Sequence, residues 1–594
     1  MEVCLRTSAF PPPSNVNPRF SKLSQPIACT AGLMLAMTAT LTSAATITLV
    51  NTQGVSQSWL TDVDWSNGAQ PSPGNDYVVD GNRVLRTANI SSDETFQGDS
   101  LTIEAGSRVA LKGTGDHTVT INDLRLNGGQ VSHFGSTDNL TLAGGITLAN
   151  ATTSLFAAGG TSSRTMGVSS LISGGGNLRA NGSLVTLTGN NTYTGSTTID
   201  ANGTLQVGNG GTSGSMANTS GITNNGTLVY NRSNALSVNH AIGGSGSLTK
   251  LGAGTLTLNN TSTYSGGTSI GNNTSNVGVV NVTASNALGT GETTLISNTN
   301  GNLAGVTLNS GSGITLTNDF RTSGTGSSNN LIDNQSGNNE LSGNFTLVGG
   351  GGGTTIKSSG GLLTLSGDFT VNYSGSRTLT LAGAASGSIT GTLMDGNNPL
   401  VVTKRDSGTW STSGTNTYTG NTNINAGSFY INGDSSAATG AVNVASGATL
   451  GGIGIVGGHT TLSGFLDPGQ SPGTLTFSGN LTLLSGSTVQ FEGGDLIDVG
   501  GILDLDSGWT LELGSDLQDG GSITVFTYDT LAGSPELNPT FDTSGLGFSP
   551  SGPLSLSDDG LGTITLNGVS IVPEPSSFAL FAFGALSLLV RRRR

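Results

Sequence analysis

The chain has 594 residues, of which 95 are Gly and only 10% are charged, with a hydrophobic fraction of 34% and 16 Pro. That is too little apolar material for a compact globular enzyme of this length and too little charge and proline for a disordered chain, so the composition predicts repetitive β-structure. The net charge is −15, with no Lys or Arg between Asp406 and Val590; an anionic surface of that kind repels phosphate and excludes nucleic-acid binding for this half.

The acidic bias fits two readings, solubility of a β-rich surface and weak divalent-cation binding by paired carboxylates. Cysteine occurs only at Cys4 and Cys29, both within the leader, so the mature chain has no disulfide framework, thiol nucleophile or thiolate metal site. His117, His133, His240 and His459 are scattered without ligand spacing. No cofactor and no metal site is expected.

Residues 1–45 read as a leader and signal peptide. Arg6, Arg19 and Lys22 precede an apolar run from Ile27 to Leu41, which ends in LTSAAT and places Ser43 and Ala45 at the −3 and −1 positions of a cut after Ala45. Such a segment forms a cleavable helix handed to the Sec translocon. Cys29 precedes most of the apolar run instead of following it, which argues against lipidation. The long polar leader is also what an upstream mis-assigned start would give.

Residues 46–150 read as an N-terminal β cap with the first coils, in which Trp59 and Trp65 are expected inside and Pro71 to Gly74 mark a turn. Residues 151–494 form the repeat region. Three stretches align, beginning at Ile172, Ile242 and Pro399, and each ends in a Tyr corner: Tyr193-Thr194-Gly195, Tyr264-Ser265-Gly266 and Tyr418-Thr419-Gly420. A shorter unit recurs as LSGNFTL at Leu341, LSGDFTV at Leu365 and FSGNLTL at Phe477. Apolar and polar residues alternate with period two, which predicts one inward row per strand with Thr and Ser outward. A single coil cannot bury its row, so the stack is the stable object.

These repeats resemble the autotransporter-associated β-strand repeat, most closely in GSGSLTKLGAGTLTL from Gly244 to Leu258 with its Lys250, and more loosely in the copy at Ile172, where Arg179 lies near the lysine position. The resemblance implies a right-handed parallel β-helix, a β-solenoid, in an exported bacterial protein. The autotransporter's own C-terminal barrel is not expected here.

Within the repeats, acids are sparse: Asp200, Glu292, Asp319, Asp333, Glu340, Asp368, Asp395 and Asp406. Glycosidic hydrolysis needs two facing carboxylates, and only Asp319 and Glu340 suggest such a pair. Lys404-Arg405-Asp406 is the one dense candidate for a lyase site, and it sits where the repeat copies place a structural lysine. GGDLIDV at Gly493 resembles half of a calcium-binding nonapeptide without its central glycine. No catalytic residue is therefore assigned. Residues 495–571 read as an acidic C-terminal β cap, which closes an otherwise exposed strand edge.

The last segment, 572–594, orders Pro573-Glu574-Pro575, an apolar helix candidate from Phe578 to Val590, and Arg591, Arg592, Arg593 and Arg594. The helix is short for a bilayer span of ~20 residues, and the arginines would stay cytoplasmic. The order of parts resembles the PEP-CTERM sorting signal of Gram-negative bacteria. That resemblance implies recognition by an exosortase, transient anchoring in the inner membrane and delivery to the cell surface or extracellular matrix, often beside exopolysaccharide. A plain tail anchor is the competing reading. For the whole chain, the sequence favours a non-enzymatic structural or adhesive surface protein over a carbohydrate-active β-helix enzyme or a calcium-stabilised adhesin.

Overall fold

The computed structural model describes residues 44–571, apart from breaks at 62–63, 135–138, 160–163, 273–277, 298–303, 312, 325–329, 350–352, 470–471 and 534. The expected signal and C-terminal helices lie outside the described residues.

Short β-branched and Leu-rich runs separated by Gly and Asn corners give strands of three to six residues in most coils, each with alternating burial, as in Leu184–Leu187, Thr204–Val207 and Leu481–Leu483. Among the described residues these strands stack into sheets of 17, 8, 11 and 19 strands and a two-stranded ladder, all parallel except at the C-terminal end of the 19-stranded sheet. The body is all-β, a parallel β-solenoid of about 18 turns. Coil length varies. Val402 pairs with Thr422 and Thr422 with Val442, whereas Thr293 pairs with Phe320. The 24-residue step from Leu341 to Leu365 is one coil, for these two residues pair in register, as do Phe345 and Phe369.

The interior is one continuous apolar cluster running the length of the stack. Ile199, Leu205 and Val207 are all fully buried, but on two walls: Ile199 belongs to the 8-stranded sheet and the other two to the 17-stranded sheet. Midway, Phe320, Phe345 and Phe369 form an internal aromatic ladder, with ring centroids 5.1 and 4.3 Å apart and ring planes within 9° and 1° of parallel. One residue per coil at one register position is what allows parallel stacking here, since the coil spacing of ~4.8 Å is close to the centroid separation of offset-stacked rings.

The three Tyr corners share one construction. Tyr193, Tyr264 and Tyr418 are buried, and each phenol shares a hydrogen bond with the Thr hydroxyl four residues on, at 2.6, 2.5 and 2.7 Å to Thr197, Thr268 and Thr422. The ring fills the corner between two walls, and the Thr hydroxyl gives the buried phenol a hydrogen-bond partner. Tyr264→Phe is expected to lower stability by about 1 kcal/mol, measured by urea unfolding; Thr268→Val should cost no less, because it strands the buried phenol.

Both ends differ from the stack. At the start, Ala45–Thr48 pairs in parallel with Asn75 to Val78, and the chain folds back so that Leu49 bridges Trp65 antiparallel. Trp59, Trp65, Tyr77 and Phe96 pack edge-on or tilted at centroid distances of 4.9 to 5.3 Å, and Trp65 Nε1 donates to the Trp59 carbonyl. The expected burial of both tryptophans is found. At the other end, parallel pairing continues through Leu496–Leu505 and Thr510–Leu513. The long strand Leu517–Leu531 then pairs antiparallel with Thr563–Ile571, which also takes Ser555–Asp558 on its other side. Reversing strand direction ends the parallel template that would otherwise recruit further strands.

Candidate functional site

The repeat lysines are structural. Lys250 is buried and its Nζ donates to the carbonyls of Leu251 and Gly252, both at 2.7 Å. Lys404 does the same for Arg405, Asp406 and Ala426 at 2.9, 2.6 and 2.9 Å. Each ammonium thus gathers the carbonyls of a corner between strands. Gly427, at φ +65°, must lack a side chain because a Cβ there would stand 2.4 and 2.5 Å from the carbonyl oxygens of Asp406 and Gly408. In the copy at Ile172 the equivalent inward place is taken by Ala180, whereas Arg179 points outward and pairs with Asp200 at 2.9 Å. The lysine position is therefore Ala180, not Arg179, because one residue of offset turns a side chain to the opposite face.

Burial pushes the Lys250 and Lys404 ammonium groups down to about 8 from the ordinary 10.5. Between those values the unfolded chain binds more protons than the folded one, so stability rises with pH through that window. The buried phenols act in reverse. Burial pushes Tyr193 up to about 12, so above pH 10 the folded chain holds the extra proton and stability falls. The melting midpoint is expected to be higher at pH 9.5 than at pH 7.5, and the rise to flatten in a Lys250→Met, Lys404→Met double variant.

The acids of the repeats bind neighbouring chain. Asp319 Oδ1 accepts from Asn344 N at 2.8 Å, Asp368 Oδ1 from Thr392 N at 2.8 Å, and Asp395 from the Leu400 and Thr419 amides. Asp333 and Glu340 accept from Ser359 and Ser366 hydroxyls at 2.8 and 2.7 Å, and Asp406 from Gly383 N. Glu292 accepts from Thr294 within its own coil. Asp319 stands at a corner ahead of the 17-stranded sheet and Glu340 within the 11-stranded sheet, each in a hydrogen bond that joins successive coils. The half-nonapeptide at Gly493 is also engaged. Asp495 is buried, its carboxylate accepting from Glu492 N and Gly473 N at 3.0 and 3.2 Å, and burial pushes it up to about 6. Among the described residues, no group of three or more His, Cys, Asp or Glu side chains converges as a metal-ligand set.

A groove of about 550 Å³ opens on the 11-stranded sheet. Its floor is an in-register row through successive coils: Ser388, Ser411, Tyr430, Gly451 and Asp467. The Tyr430 ring lies across Gly451, where a Cβ would stand 2.6 Å from the ring, and its phenol donates to Asp467 Oδ2 at 2.7 Å. Burial and the Asp467 carboxylate push Tyr430 up to about 12. Glu492 closes one end, its carboxyl raised above the usual range by burial and by the charges of Asp516 and Asp467. Sequence reasoning did not find this row. Its members are separated by 23, 19, 21 and 16 residues, so no fixed period exposes them.

The sorting residues Pro573, Glu574, Pro575 and Arg591 to Arg594 lie outside the described residues, whereas Ala45 is the exposed first residue of the first strand. The chain matches the passenger-associated-transport-repeat over residues 184–207, 248–273 and 402–431, and the PEP-CTERM protein-sorting motif over 572–594. The repeat matches cover the Tyr corners of all three aligned copies together with Lys250 and Lys404. Fold and motifs together define an exported surface protein built as a β-solenoid. A relative in Brucella suis biovar 1 (strain 1330), the adhesin BmaC autotransporter, is 53% identical over 58 residues, which is 10% of this chain and 2% of that protein.

Proposed function

We propose that the chain passes the Sec translocon, is cut after Ala45, and is held in the inner membrane by its C-terminal helix until an exosortase acts at Pro573-Glu574-Pro575. The solenoid then stands at the cell surface or in the polysaccharide matrix as a non-enzymatic structural and adhesive element. The observation that carries this reading is the sorting motif at 572–594 behind a body of passenger-type repeats. The adhesive part is supported by the likeness to an adhesin. A cut after Ala45 removes only the exposed first residue of a four-residue strand and leaves Ile47 in the core. The test is to incubate the exported chain with neutral and acidic polysaccharides and follow reducing ends and unsaturated uronate. No turnover is expected, and sustained turnover lost on Asp467→Asn would contradict the reading.

A further inference from the structure

The groove over Tyr430 has the features of a ligand site that the stack itself does not need. Many outward positions on the repeat walls carry Thr, Ser or Asn, and some of these bond the neighbouring coil, as Asn443 does with Asn423. Here the row is broken by a glycine, and the broken place holds a half-buried aromatic ring laid along the sheet. Removing a side chain from one coil to seat a ring from another gains no interior packing. What it creates is a flat apolar platform flanked by hydroxyls and carboxylates.

The row from Ser388 to Asp467 covers four coil steps, ~19 Å at the usual strand spacing. It is long and open, which suits an extended chain and not a compact metabolite. Ser388, Ser411 and Asn432 supply neutral hydrogen-bonding groups along it, and Asp467 and Glu492 supply charge at one end. No Lys or Arg lines it, and none occurs in the chain between Asp406 and Val590. A uronate or sulfated chain would meet only repulsion there. A pyranose ring presents axial C–H groups to an aromatic face and equatorial hydroxyls to its rim, and an amino substituent complements the carboxylates.

We propose that this groove binds an extended amine-bearing glycan, a hexosamine chain with free amino groups, with a sugar ring stacked on Tyr430 and ammonium groups at Asp467 and Glu492. The proposal deepens the adhesive reading and rests on it for its setting; the test below uses the exported chain in solution, so its failure leaves the export and sorting reading standing.

The test is calorimetric titration of the exported chain with three hexameric probes: glucosamine, N-acetylglucosamine and galacturonate. The glucosamine hexamer is expected to bind saturably, to weaken as salt is raised, and to bind at least tenfold more tightly than the acetylated hexamer, with no galacturonate binding. Asp467→Asn and Tyr430→Ala are each expected to weaken it roughly tenfold, the effect of one charge-assisted or stacking contact. Tyr430→Phe keeps the ring and should lose less. Ser411→Arg, an outward change on the groove floor, should abolish binding while leaving the melting midpoint in place, which keeps the test valid if Tyr430→Ala disturbs the coil. Absence of saturable glucosamine binding, equal binding of the acetylated or acidic hexamer, or unchanged affinity in Asp467→Asn with the fold intact would overturn the proposal.

Discussion

Phe345→Ala is expected to destabilise the solenoid by about 3–5 kcal/mol, the cost of emptying a large core site that cannot collapse. Phe345 is the middle rung of the Phe320, Phe345, Phe369 ladder and is fully buried, so its loss leaves a cavity between two rings held in place by their own coils. Because each coil contacts only its neighbours, the damage should be local. Hydrogen exchange is expected to quicken in the strands around 320–324, 345–347 and 369–371 while the tryptophan-rich start stays protected. Thr346→Ala, on the outward side of the same strand, serves as the control and should change stability by less than ~0.5 kcal/mol. A cost for Phe345→Ala as small as the control's would mean that the ladder is not a packed core.

Two changes at the C-terminus are expected to send the chain to opposite fractions. Glu574→Ala leaves the helix and arginines in place but removes the charged residue of the sorting motif. The proposed reading predicts that processing falls to background and the chain accumulates in the inner-membrane fraction. Deleting 572–594 removes anchor and motif together, and the same body should then appear soluble outside the inner membrane. A plain tail anchor makes the first change silent, because a helix held by hydrophobicity and by arginines on the cytoplasmic side has no use for Glu574.

How much could be read beforehand depended on the scale of the feature. Alternation with period two and the repeated Tyr corners revealed the solenoid, because both are local patterns dictated by strand geometry and by a corner that one ring fills. The 24-residue step from Leu341 to Leu365 was legible for the same reason, since two copies of one motif sit one coil apart. Lys404 could be assigned to structure by its place in the repeat, and the structure shows why a charge is kept there: its ammonium ties three carbonyls together. Arg179 lies one residue from the lysine position of its copy, which in a strand is the difference between core and solvent. The groove was hidden more deeply. Tyr430 and Asp467 meet only because an intervening coil places Gly451 between them, and coil length changes too often for such a column to be counted out along the chain. The antiparallel closure by Thr563–Ile571 was likewise unreadable in direction, since alternating residues look alike in parallel and antiparallel ladders.

The most direct measurement of the account as a whole is the intact mass and location of the chain in cells with and without the sorting transpeptidase. With the enzyme, the chain is predicted to begin at Thr46, to lack the helix and Arg591 to Arg594, and to fractionate with the cell surface or matrix. Without it, the chain should keep the full mass of residues 46–594 and remain with the inner membrane. Identical mass and identical location in the two strains would contradict the account.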